Sequence, residues 1–412
     1  MDPTRREMLR TVGLLLAGTG MAGARAPVAA ARAGGALATA AGTGGSEDST
    51  PPAARIPLIH TTDLYHPPQD PDDQIDLATV LTLEEYDLLG VVLDITEKFL
   101  HPTPDGWDIA REPGFEPVAR MAGATRRTIP VAQGPHHPLS HPGDTCDDVP
   151  EEEEAGIRMI LELLEGSPEP LTISVTGSPR AVTAAYNRAP WLLREKTLAV
   201  LLNAGSTGGP KVEWNVQLDP QAYIGLWRSE LPIRWFPPGT ESGAFDPAHE
   251  RGTYFRAPQA DLFRDLPPDL QGYFAHTLAG LPPGGAFPSR AAGQEDSTWR
   301  TILGQERNLW STASLVMGAS RALAETEDGW RFLPVGNVRD ATVWPWRLDP
   351  IRASVDAEGR VDWAVAESET RRWIFGRKSG REFGQAMTEA LNALFRASSH
   401  SPPPLDGNTP HG

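Results

Sequence analysis

The sequence predicts an α/β protein with a mostly parallel central sheet and helices on both faces. Two observations carry that prediction. Short apolar runs alternate with helical stretches over residues 55–236, the signature of strand–helix–strand units. One of these runs, "TLAVLLNAG" (residues 197–205), is continuously apolar, as a strand covered on both faces should be.

The elements follow in order. "IPLIHTTD" (56–63) is an apolar strand that ends in polar residues. "DLLGVVLDIT" (87–96) and "TIPVAQG" (128–134) are the second and third strands. Residues 151–165 carry Ile157, Ile160, Leu161 and Leu164 along one helical face. The glutamates at 151–154 suit a solvated helix start. "LTISVTG" (171–177) is the fourth strand, and Ser178-Pro179 opens the next helix. The run at 197–205 is the fifth strand and "LPIRWF" (231–236) the sixth. Right-handed crossovers bring the strand ends to one edge of the sheet, and ligands of such sheets sit beyond those carboxyl ends. Asp63, Asp94, Gly134, Thr176 and Asn203 all stand there. Beyond about Thr240 a Pro- and Gly-rich segment, to Ser297, reads as loops over the core. Helical periodicity returns in "NLWSTASLVMGASRALAE" and in "GREFGQAMTEALNALF".

The chain has 412 residues, a formal charge of −17, 40 prolines and 40 glycines. That charge argues against nucleic acid as a partner, because phosphate selects basic surfaces. "TRREMLR" (4–10), an apolar run at 12–22 and Ala24-Arg25-Ala26 resemble a twin-arginine export signal over residues 1–26. Export to the periplasm or beyond, with the twin-arginine machinery as a partner, is the expectation. The apolar run is too short for a stable membrane span. Residues 27–54 and 397–412 read as disordered linker and tail around a folded domain at 55–396. Cys146 is the only cysteine, so an intramolecular disulfide cannot form.

Five aspartates fall within fourteen residues: Asp63, Asp70, Asp72, Asp73 and Asp76. Part of this is helix chemistry. Asp70 suits an N-cap, Pro71 the first helical position, and Asp72 and Asp73 the first turn. Capping does not explain why Asp63 ends the preceding strand at the same edge. Converging carboxylates repel by roughly 1–4 kcal/mol per close pair. They must be protonated, splay into water, or bind a cation. Ca²⁺, which takes about 6–8 oxygens, suits such a set.

"TTD…DPDDQIDLATVL" is similar to the N-terminal motif of the nucleoside hydrolase family, an Asp-x-Asp strand end followed by Pro-Gly-x-Asp-Asp and an apolar helix. "ISVTGSPRAVTAA" (173–185) resembles the family's strand-Gly-Pro-Leu-Thr-Asn-helix segment, and "EWNVQLDPQA" (213–222) its Glu-Phe-Asn…Asp-Pro-Glu-Ala segment. The resemblance implies a Rossmann-like core and a Ca²⁺-dependent hydrolase of N-glycosidic bonds in nucleosides or related ribosyl compounds. It implies Asp63 as metal ligand and general base, Asp73 and the Thr176 carbonyl as further metal ligands, and Asp72, Glu213 and Asn215 as substrate-binding groups. It also admits homo-oligomers. The family's first aspartate is Thr61 here, "LYHPPQDP" lengthens the loop and brings Tyr65 and His66, and no distal His-Asp pair is found. Glu306 and Asn308 are the nearest substitutes, against a structural salt bridge centred on Arg307. The alternative reading is a non-catalytic or differently specific sugar-binding protein on the same fold.

"GPHHPLSH" places His136, His137 and His141 beyond the third strand. They read first as an exposed loop, second as a Zn²⁺ or Cu²⁺ site. One of them, or His66, is a candidate proton donor to the leaving base. Trp214 is a candidate wall of the sugar pocket, whereas Tyr223, Trp227 and Trp235 read as core. "GSTGG" lacks the Lys-Ser/Thr of a phosphate loop, which excludes a nucleotide triphosphatase.

Overall fold

The strands, in chain order, are β1 (Ile56–Thr62), β2 (Tyr86–Leu93), β3 (Val131–Gln133), β4 (Leu171–Val175), β5 (Thr197–Leu202), β6 (Ile233–Trp235), β7 (Phe255–Pro258), β8 (Glu306–Leu309), β9 (Arg321–Thr326), β10 (Gly329–Pro334), β11 (Thr342–Val343), β12 (Trp346–Val355), β13 (Val361–Val365) and β14 (Arg372–Arg377). They belong to a computed structural model that describes residues 55–101, 110–280, 297–338, 341–368 and 370–398. The export signal and linker expected at 1–54, and the tail from 399, lie outside the described residues.

Nine strands form one sheet in the order β13-β12-β14-β6-β5-β4-β1-β2-β3. From β3 to β14 every neighbouring pair is parallel. Only the pairs β14–β12 and β12–β13, at one edge, are antiparallel, so β12 alone runs against the rest of this sheet. The fold is therefore the expected α/β architecture, and the six expected strands occupy its parallel part.

Strand alternation assigns the two faces. Ile59, Val92, Ile173, Val200 and Leu202 pack in one cluster with Ile157, Ile160 and Leu164 of the helix Glu151–Gly166 and with residues of the helices Arg180–Arg188 and Pro220–Arg228. On the other parity, Tyr86 and Leu201 lie against the helix Thr312–Gly318. The helix Asp72–Thr82, called α1 below, packs on Thr312–Gly318 and on Glu382–Ala397. Fully burying one such aliphatic side chain stabilises by about 1.5–3 kcal/mol, so both layers secure the sheet whose edge carries the site.

Three local expectations need correction. Helix α1 begins at Asp72 with Pro71 as its cap and no side-chain cap bond. Asp70 instead accepts from Arg307 Nη1 at 2.9 Å, so a distant guanidinium overrides the local cap chemistry. "NLWSTASLVMGASRALAE" is helical only over Thr312–Gly318. Ser320 turns the chain at φ 57, and β9 then pairs with β10 and β11. Lastly, the segment after Thr240 is more than loops: it contains β7 and the helices Gln259–Leu262 and Pro268–Leu278, while 281–296 lie outside the described residues.

Candidate active site

A cavity of about 350 Å³ opens at the carboxyl ends of the parallel strands. Asp63, Asp72, Asp73, Thr176, Glu213 and Asn215 all line it. Asp63 immediately follows β1, and Thr176 follows β4, β1's direct neighbour. Asp72 and Asp73 form the first turn of α1. One sheet edge and one helix start thus gather groups spread over more than a third of the chain.

Asp73 is tied to the strand ends. Its Oδ1 accepts from the Thr62 hydroxyl at 2.8 Å and from the Thr176 hydroxyl at 2.7 Å. Burial and then the neighbouring Asp73 charge push the Asp63 carboxyl far above the usual carboxylate range. Asp72 is pushed up by burial and then by the charges of Asp73, Asp70 and Asp76. Burial also raises Asp73, while the hydrogen bonds from Thr176, Thr62 and Asp63 pull it back. Gly177 permits this crowding. A Cβ there would lie 2.8 Å from Asp63 Oδ1, so any side chain would displace the carboxylate.

The opposite wall comes from the helix Trp214–Leu218. Glu213 caps it by accepting from Asn215 N at 3.0 Å, and its other oxygen accepts from Gly205 N at 2.7 Å. Burial pushes the Glu213 carboxyl up to about 7. The Asn215 amide donates to the carbonyls of Thr176 at 3.2 Å and Asn203 at 3.0 Å. Asn203 also lines the cavity, and its buried side-chain oxygen has no hydrogen-bond partner.

The sequence reading marked Asn203 only as a strand end. Nor does it mark Ala244, Phe245, Trp310 and Ser311 as lining residues, which reach the cavity from beyond Thr240. Tyr65 and Trp214 line the cavity, Tyr65 stacked on Phe99 at 4.9 Å. Other candidates lie elsewhere. His66 is buried and stacked on His276 at 4.9 Å. His136 is buried between Glu97 and Glu153, at 3.6 and 3.5 Å, whereas His137 and His141 are exposed. Glu306 pairs with Arg256 at 2.7 Å, and Asn308 accepts from the Tyr254 hydroxyl at 2.9 Å, so neither serves the cavity. Arg307 forms a salt bridge with Asp70. Thr61, in place of the motif's first aspartate, bonds the Ser174 carbonyl within the sheet.

The meeting point offers a cation two carboxylates, Asp63 and Asp73, and the Thr176 carbonyl. Among the described residues no three His, Cys, Asp or Glu side chains enclose a metal ion. The donors are nevertheless all oxygen, net negative, and incomplete in number. That set fits a hard cation which keeps coordination positions for water or a ligand's hydroxyls. A larger groove of about 670 Å³ is lined by Arg256, Arg264, Arg331 and Arg396 interleaved with four acids. It holds no convergent carboxylates at a sheet edge, so the chemistry is placed in the smaller cavity.

No family model matches the chain. Over 199 residues it is 30% identical to the pyrimidine-specific ribonucleoside hydrolase RihA of Enterobacter sp. (strain 638), a match covering 43% of this chain and 58% of the relative. RihA of Citrobacter koseri is 28% identical over the same length and the same shares. The purine-preferring ribonucleoside hydrolase of Gardnerella vaginalis superposes with a TM-score of 0.50 at 15% identity, over 82% of this chain and 99% of that structure. Over part of its length the chain is a distant relative of the nucleoside hydrolases, and it shares their fold. It spans about 58% of the length of the curated relatives it matches. As a nucleoside hydrolase relative it keeps the acidic strand end and helix start. On the far wall it presents Trp310 and Ser311, and among the described residues no His lines the cavity.

Proposed function

We propose that this chain is a Ca²⁺-dependent hydrolase of N-glycosidic bonds, acting on nucleosides or related ribosyl compounds. One observation carries the reading: Asp63, Asp72, Asp73, the Thr176 residue and Asn215 surround a single cavity at the sheet edge. Asp63, Asp73 and the Thr176 carbonyl would hold Ca²⁺, whose charge lowers the pKa of a water molecule and neutralises the acidic floor. Asp63, now ionised, takes the proton of the attacking water. Asp72 accepts hydrogen bonds from ribose hydroxyls, and Glu213 and Asn215 fix the other side of the sugar. As the C–N bond lengthens, its electron pair moves to the base nitrogen and positive charge grows on the sugar, where surrounding carboxylates stabilise it. The base takes its proton at the open mouth.

We also infer export through the twin-arginine route, from the motif at residues 4–26. A fusion of residues 1–54 to a reporter should reach the periplasm, and Arg5→Lys with Arg6→Lys should retain it inside the cell.

A second reading rests on the lining itself. With no histidine among the described residues of the cavity wall, the protein would bind a nucleoside or sugar without cleaving it. Incubation with a nucleoside panel and Ca²⁺ separates the two. Free base and ribose that disappear with Asp63→Asn support the hydrolase. Saturable calorimetric binding without product supports the binding protein.

A further inference from the structure

Beneath the cavity floor lies a carboxylate that the proposed chemistry does not use. Asp76 is 1% exposed, and both of its carboxylate oxygens are buried without a hydrogen-bond partner. It sits one helical turn after Asp73 on α1, and residues three apart share a helix face. Side chains on a helix lean toward its N-terminus, so the Asp76 carboxylate leans toward Asp73 and the cavity. Ser311 and Thr312 approach it from the helix start at Thr312 without closing a bond, and the Thr312 hydroxyl is itself buried and unpartnered. Ser311 is the residue through which this pocket of unmet polarity touches the cavity.

A buried carboxylate with no donor needs an explanation, because leaving such a group unsatisfied costs about 1–3 kcal/mol or more when it is charged. Packing does not supply one: an apolar residue would serve better between α1 and the facing helix. The nearest guanidinium at this edge, Arg307, is spent on Asp70 and Gln259. What the position adds is negative charge directly behind Asp73.

We propose that Asp76 is an outer carboxylate of the cation site, joined to Asp73 and the cavity through Ser311 and a bridging water, and that it sets the affinity for a divalent cation. The wall segment that carries Trp310 and Ser311 brings no carboxylate of its own into the cavity, and Asp76 supplies that charge from the neighbouring helix. The role is an outer one, since no three acidic side chains close on a single point. Outer partners of this kind orient the ligating groups, and their loss typically costs about 10–100-fold in metal affinity. The proposal rests on the Ca²⁺ reading above, and the test keeps the two apart.

Calorimetry with Ca²⁺ alone is run on the full chain, wild type against Asp76→Asn, with thermal melting of each in chelator. Asn keeps the shape and removes the charge. Cation binding weakened by about tenfold or more, with the melting temperature in chelator equal to or above wild type, supports the proposal. Wild-type binding that Asp76→Asn leaves unchanged overturns it while sparing the Ca²⁺ reading. Absence of binding in the wild type itself sinks both. Should Asp76→Asn fail to fold, Ser311→Ala decides: a several-fold weaker Ca²⁺ affinity supports the bridge, and an unchanged affinity overturns it.

Discussion

Two sets of buried and half-buried carboxylates stand at the same edge of the sheet, and they are satisfied in opposite ways. Asp94 and Asp219 share the fully buried guanidinium of Arg180, at 3.4 and 2.9 Å. That guanidinium also donates to the carbonyls of Ile95 and Pro135 and to the Thr96 hydroxyl, so nearly every donor is used. Burial pushes Asp94 up to about 7, with Arg180 pulling against it. Asp63, Asp72, Asp73 and Asp76 have no such cation. They are raised by burial and by one another, and Asp73 is held by the hydroxyls of Thr62 and Thr176. The first set is internally neutralised and holds the β2 and β4 ends together. The second is left short of positive charge where a cavity opens, as a binding site must be.

That contrast can be broken at either end. The largest effect is expected at Asp63. Asp63→Asn should cut base release by about 10²–10⁴-fold, the span for a lost general base, with circular dichroism unchanged. Next comes Arg180→Gln, which strands two buried carboxylates. It should lose about 3–5 kcal/mol in chemical denaturation, yet keep its response to Ca²⁺ if it folds. A smaller effect follows from the ion. At about 100 times its dissociation constant Ca²⁺ should stabilise the wild type by about 2.7 kcal/mol. Asp73→Asn should abolish most of that gain, and Asp94→Asn should leave it. A thermal shift confined to Asp94→Asn would reverse the assignment of the two sets.

The last prediction concerns pH. The folded protein holds the Glu213 proton more tightly than the unfolded chain, at about 7 against an ordinary 4.5. Its contribution to stability is therefore fully present below about pH 4.5 and is lost as pH rises through about 7. Denaturation across that window should show a shallower decline for Glu213→Gln than for wild type. Parallel slopes would place the carboxyl's titration outside the fold.

Much of this edge is legible in the sequence because its causes are local or periodic. The parallel strands are continuous apolar runs, and Asp63, Thr176 and Asn203 follow them directly. Asp72 and Asp73 sit where a helix start must be. What escapes is set by distant partners. Asp70 looks like a cap until Arg307 reaches it. Arg321 to Thr326 is rich in helix-favouring residues, yet pairing with β10 makes it a strand. Phe245 comes from a Pro- and Gly-rich stretch without clear period, and Trp310 and Ser311 stand just ahead of the helix Thr312–Gly318, so nothing local aims them at the cavity. Asp76 is the instructive case. In sequence it is one more polar residue on an acidic helix, and only the packing of the helix Thr312–Gly318 over that helix reveals that it is buried.

Asn215 gives the pocket a measure of its own width. Its one amide group reaches the main-chain oxygens just past β4 and just past β5. Any tug on Thr176 is thus relayed to Asn203, and the two neighbouring strand tips must travel together. A guest that draws Thr176 inward would tighten the far side in the same motion.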